Sequence, residues 1–197
     1  ADPRSMNRSD LMALLQQRPA IDPLDARRQL VGLAAFAWQE QKLGWDQFLK
    51  KMRPAVRPFN GEHLLAVVLH RLDATEAALL LLSDTFEEAP GDLQLFKAYC
   101  DSLVYADYMA GKPLVETATR LEKVARRFVK AREADADAYR MAAGYLEGKG
   151  MFTAAAALLS DLADGSTLDG PLALALARNQ LNQGRTAEAA THFSLAA

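Results

Sequence analysis

The feature that most constrains this chain is a repeat with a period of 34 residues. Ala142, Ala143, Leu146, Gly150, Ala155, Leu159 and Leu162 are followed 34 positions later by Leu176, Ala177, Gln180, Gly184, Ala189, Phe193 and Ala196. Apolar residues recur at spacings of three and four on either side of each glycine, which predicts a helix, a turn and a second helix. A unit this short cannot bury its apolar face alone, so successive units must stack. The pattern therefore predicts an all-α fold of antiparallel helix pairs.

The rest of the chain fits that expectation. Short breaks at 18–23, 57–62, 88–92, 110–113, 133–137 and 164–171 separate segments of helical periodicity, among them the stripe Leu121, Val124, Ala125 and Phe128. Asp22 is placed to cap a helix that opens on Pro23, and Asp92 and Asp137 each open a run. An earlier unit contains Leu65, Ala66, Leu69, a turn at Asp73, Ala78, Leu82 and a closing Pro90, whose missing donor ends a helix. The next unit starts in phase with Phe96, Tyr99, Cys100 and Leu103 and then carries nine extra residues around 104–112. That insertion predicts a first helix lengthened by about two turns, near 93–110, and a second helix over 114–131. Upstream, 23–43 and 46–56 read as another pair, bent at Pro54, and 9–17 as one further amphipathic helix.

Small residues at Ala143 and Ala155, or Ala177 and Ala189, with large ones beside them and a turn glycine between, resemble the tetratricopeptide repeat. That family's pattern is W-x2-L-G-x2-Y, a turn Gly, A-x3-F and a late Pro. Small residues let the two helices of a pair approach while large ones fill the groove between pairs. The resemblance implies a right-handed superhelix of stacked pairs, an α-solenoid. It divides the chain into a cloning scar at 1–5, N-terminal helices over 6–58 forming a diverged repeat or cap, and an array over 59–197. The units of that array are 59–92, 93–135 with the insertion, 136–169 and 170–197.

Several functions are disfavoured by the residues themselves. A net charge of −2 lacks the cationic footprint of a nucleic-acid binder. No stretch reaches the length of a membrane span. The single Cys100 cannot form an internal disulfide and stands in a small-residue slot, so packing is its expected role. His63 and His70 lie seven apart without a carboxylate or thiol to complete a metal set. No phosphate-binding, zinc-protease or nucleophile-elbow motif occurs, so the chain reads as non-catalytic, without cofactors. Translation from Met6 would add no secretion signal, which points to the cytoplasm with the periplasm as the alternative.

The resemblance further implies that first helices line a concave groove for a peptide or helix of a protein partner. The corresponding slots here are His63, Val67, His70 and Arg71; then Lys97, Asp101 and Val104; then Arg140, Gly144 and Glu147; then Leu174, Arg178 and Leu181. The clamp with which some relatives grip the acidic end of a heat-shock chaperone would need cations and Asn where His63, Val67, Ala98, Asp137 and Met141 stand, so that role is not expected. The implied function is an adaptor or chaperone-like scaffold, as in bacterial secretion, pilus or envelope assembly, or cytochrome maturation. The alternative is a docking module of a longer enzyme such as a glycosyltransferase. Arg120, Lys123, Arg127 and Lys130 form a basic stripe that reads as a solvated outer face, and Tyr105 and Tyr108 remain as contact candidates. Helix 186–197 presents Ala189, Ala190, Phe193, Leu195 and Ala196 with nothing to cover them, which suggests continuation of the chain, or cover by a partner or second copy.

Overall fold

The computed structural model describes residues 32, 44–59, 61–165 and 170–196. The scar at 1–5, the helices at 9–17 and 23–43 and the cap at Asp22 and Pro23 lie outside the described residues. Among the described residues the secondary structure is helical throughout, with no strand. The helices are α1 (Trp45–Val56), a 3-10 turn (Arg57–Phe59), α2 (Glu62–Arg71), α3 (Thr75–Glu88), α4 (Leu93–Met109), α5 (Leu114–Ala131), α6 (Ala136–Gly148), α7 (Phe152–Gly165), α8 (Gly170–Asn182) and α9 (Thr186–Ala196).

The chain divides into two compact units, 1–88 and 89–197. In the first, α2 pairs with α3 and α1 packs on both. Phe48, Met52 and Val56 recur at every fourth position of α1 and are buried, as are Leu65, Ala66 and Leu69 of α2 and Ala78, Leu82 and Phe86 of α3. α1 stays helical through Pro54 and passes into the 3-10 turn. Arg53 and Arg57 each reach Glu88 at 2.6 Å, fastening α1 to the end of α3. These contacts join α1 to the pair that follows, across the 58/59 boundary expected from the sequence.

In the second unit the pairs are α4 with α5, α6 with α7 and α8 with α9, and they are joined because α5 packs on α6 and α7, and α7 on α8. The predicted stripe Leu121, Val124, Ala125 and Phe128 is buried. Phe128 stacks on Phe96 with ring centroids 4.6 Å apart, and Phe96 meets Tyr145 edge-on at 5.5 Å. Asp92 caps α4 as the sequence suggests, accepting from the amides of Gln94 at 2.8 Å and Leu95 at 2.9 Å. Asp137 does not cap α6. The helix starts one residue earlier, and Asp137 pairs with Arg140 at 3.0 Å instead.

The turns explain the period. Gly150 and Gly184 both adopt φ of 75°, where a Cβ is disfavoured, and Asp73 takes the same role at 57°. In each turn an amide closes back onto the last helical turn: Ala74 to Leu69, Met151 to Leu146 and Arg185 to Gln180, all at 2.9 Å. Ala155 and Ala189, the small residues of the second helices, are buried. Leu at either site should overpack the pair and cost about 1–3 kcal/mol, read as a lowered urea midpoint. Unchanged midpoints in both variants would remove the physical basis of the 34-residue frame.

The insertion falls where expected, with α4 at Leu93–Met109 and α5 at Leu114–Ala131 against the expected 93–110 and 114–131. α4 has 17 residues against 13 in α6, and α5 has 18 against 14 in α7. The gain over the neighbouring pair is thus about one turn in each helix, where about two turns in the first were expected. Extra turns added to one helix alone would have no partner to pack on, whereas turns shared between both keep the pair closed.

Candidate protein-binding face

Of the slots in the second unit, Lys97, Asp101 and Val104 lie on α4, Arg140, Gly144 and Glu147 on α6, and Leu174, Arg178 and Leu181 on α8. Side chains tie these helices together along that side. Tyr145 of α6 donates to Asp101 Oδ1 at 2.6 Å and lies 3.0 Å from the Lys97 carbonyl. Lys149 pairs with Asp101 at 2.5 Å, its ammonium 5.4 Å from the centre of the Tyr145 ring. Asn179 of α8 donates to Glu147 at 2.8 Å and to the Phe152 carbonyl at 3.2 Å.

These bonds alter the chemistry expected of the face. Asp101 and Glu147, read from sequence as groove carboxylates, are acceptors that fasten neighbouring helices. Arg140 is half-buried and bonded to Asp137, so it is not the freely projecting cation that its slot suggests. Lys97 and Arg178 are exposed without an ion pair among the described residues, and Leu174 and Leu181 are 41% and 51% exposed. Leu174, Arg178 and Leu181 follow one another at spacings of four and three, a single stripe of α8. Lys97, Leu174, Arg178 and Leu181 are thus the exposed slot side chains of this unit without a bond to another helix among the described residues, with Asp137 exposed beside Arg140. Burial, then the hydrogen bond to Asp101, pushes the Tyr145 phenol up, so it stays a protonated donor.

In the first unit the corresponding slots lie on α2. Val67 and Arg71 are exposed, while His63 and His70 are half-buried. His70 Nδ1 lies 3.4 Å from Thr75 Oγ1, and burial lowers its pKa. Among the described residues no three of His, Cys, Asp and Glu gather as metal ligands. Cys100 is fully buried, and burial first, then the Asp101 charge, raises its thiol. Such a thiol packs; it does not react. No helix among the described residues is long and apolar enough to cross a membrane.

The outer helix α5 is not simply a solvated basic stripe. Asp107, at the end of α4, is buried with 2% of its side chain exposed, and Lys112 reaches its Oδ1 at 3.1 Å while Arg120 binds the same atom. Burial alone would raise this carboxyl. Lys112, the Arg120 charge and a hydrogen bond from Thr117 outweigh it and hold Asp107 below its ordinary value. Asp107 stands one 34-residue period after Asp73, in the slot where the preceding pair turns. Here the helix runs on, and the lengthened α5 covers the carboxylate. Arg126 is likewise engaged, with Glu122 at 2.9 Å and with Asp161 of α7. Lys123 and Lys130 remain exposed. On α9, Ala189 is buried rather than offered outward, leaving Phe193 and Leu195 as the large apolar residues exposed there.

No protein-family model matches the sequence, and no curated protein matches it either. The solved structures to which the chain is similar include two tetratricopeptide-repeat proteins and MamA. One is a thermophilic protein of Thermus thermophilus, 16% identical, covering 88% of this chain and 82% of its own with a TM-score of 0.41. Another is MamA from Desulfovibrio magneticus, 13% identical over 85% of this chain and 92% of its own, TM-score 0.39. A third, a tetratricopeptide-repeat protein from Parabacteroides merdae, is 16% identical over 96% of this chain and 72% of its own, TM-score 0.38. In its all-α architecture, its antiparallel pairs and the left-handed turn residues Asp73, Gly150 and Gly184, the chain resembles the tetratricopeptide-repeat proteins.

Proposed function

We propose that this chain is a non-catalytic scaffold that holds an acidic amphipathic segment of a protein partner along α4, α6 and α8. The observation that supports it is the row formed by Lys97, Leu174, Arg178 and Leu181, exposed while Asp101 and Glu147 are committed to neighbouring helices and Asp137 to Arg140 of its own. A segment with carboxylates between Leu or Ile residues complements such a row. The helices beneath it are already fixed to one another, so a ligand gains contacts without ordering the floor.

Peptide-display selection on the wild type tests this reading, with Lys97→Glu/Arg178→Glu as the counter-target. The selected peptides should alternate Asp or Glu with aliphatic residues, and salt should weaken them. Two exposed ion pairs are each worth ~0.2–1 kcal/mol, so reversing both cations should reduce affinity about tenfold, with the circular dichroism spectrum unchanged. Peptides that bind the double variant equally well would place the working surface elsewhere.

A further inference from the structure

The extra turns of α4 and α5 end in an apolar cap. Tyr108 is 80% exposed, Met109 62%, Leu114 66% and Val115 71%, with Tyr105 adding a further 38%. Tyr105, Tyr108 and Met109 share one side of α4 at spacings of three and four, and Leu114 and Val115 open α5 across the Gly111–Pro113 turn. The corresponding turns elsewhere carry Arg71 and Asp73, Lys149 and Gly150, or Gly184 and Arg185 at their tips. The inserted turn also has a polar tip, Gly111-Lys112-Pro113, but large exposed apolar residues flank it on both helix ends.

Electrostatics narrows what can cover this cap. The cations beside it, Lys112 and Arg120, are drawn onto buried Asp107, and Glu116 is exposed without an ion pair among the described residues. An anionic lipid surface needs several free cations and is repelled by that carboxylate, and an acidic segment meets the same obstacle. A near-neutral apolar patch whose cations are held by its own Asp107 suits another near-neutral apolar patch, and a second copy of this chain supplies one. With aromatic side chains at 150–250 Å² each, the cap offers on the order of 600 Å², at the upper end for a monomer's largest patch and near the ~800 Å² per partner of a stable interface.

We infer that two copies of this chain associate through the α4–α5 hairpin end, in a symmetric dimer whose core is Tyr108, Met109, Leu114 and Val115, with Glu116 at the rim. The contact is isologous because the same patch serves on both copies. The Asp107 cluster holds the hairpin end rigid, so docking orders little further. Tyr108 continues the stripe Lys97, Asp101 and Val104 of α4, about three turns beyond Lys97, so the patch lies at the end of that face and includes neither Lys97 nor Arg178.

Sedimentation equilibrium across the micromolar range should show a monomer–dimer equilibrium. Tyr108→Ser/Leu114→Ser should raise the dissociation constant by about tenfold or more with unchanged circular dichroism, since both side chains face solvent. Glu116→Lys should weaken the dimer less. Tyr108→Cys should cross-link to its own counterpart under mild oxidant, and Cys100 should not, being fully buried. A wild type that stays monomeric throughout, or a dimer indifferent to both tip variants, overturns the inference. Flotation of a monomeric wild type with phosphatidylglycerol vesicles, lost in the tip variant, overturns it in favour of a lipid surface.

Discussion

Replacing Phe128 by Ala should lower stability by about 3–5 kcal/mol, read as a lower urea midpoint with an unchanged slope. Phe128 is fully buried, stacked on Phe96, with the Arg132 guanidinium 5.7 Å from its ring centre. Phe96 in turn touches Tyr145, so this one ring supports α4, α5 and α6 together. Truncation opens a cavity that backbones already held by their neighbours cannot fill by collapse. Phe128→Leu should retain most of the packing and cost less than half as much. A loss below about 1 kcal/mol for the Ala variant would mean that the three helices do not share a core there. The consequence reaches the candidate binding face, since a displaced Tyr145 no longer bridges Lys97 and Asp101.

Arg120→Glu should be comparably severe, about 3–5 kcal/mol, although Arg120 itself is half-exposed. The cost lies in what remains behind. Asp107 stays buried with a second negative charge beside it and only Lys112 to compensate. Asp107→Asn should cost less, because the cations it releases can turn to water. The acid limb distinguishes this from a packing defect. Asp107 is held below its ordinary value, so its contribution is fully present above the unfolded value near 4 and is lost as pH falls through the folded value. Thermal midpoints measured from neutral to acid pH should therefore fall less steeply in Asp107→Asn than in the wild type. Equal slopes would show that the carboxylate is not held by its neighbours.

The helix pairs were legible because their signals are local. A stripe such as Leu121, Val124, Ala125 and Phe128 declares its buried face by spacing alone, and Gly150 and Gly184 mark turns by a backbone angle that other residues avoid. The bounds of the inserted pair were legible too, because Gly111-Lys112-Pro113 marks the turn between them; what spacing did not show is that the gain over the neighbouring pair is shared by both helices. Asp107 was missed for a related reason. An acidic residue one period after Asp73 reads as another turn, and only the longer α5 turns that slot into an interior. At the candidate face, Lys97, Arg178, Leu174 and Leu181 are exposed. Residue spacing could not show that Asp101 and Glu147 are already engaged, because their partners Tyr145, Lys149 and Asn179 lie tens of residues away in sequence. A buried Asn179 amid the Ala and Leu of α8 was the one available clue.

Contacts in the second unit run between helices close in sequence: α5 touches α4, α6 and α7, whereas α9 rests chiefly on α8 and buries only Ala189. Stability in such an arrangement is distributed along the chain rather than pooled in one centre, and each pair is as firm as the neighbours that clasp it. The row from Lys97 to Leu181 therefore stands on two kinds of core. Its α4 end rests on an aromatic cluster gripped by three helices, and its α8 end on Leu172, Leu176, Ala173, Ala177 and Ala189. A segment lying along it would pass from stacked rings to purely aliphatic packing beneath it.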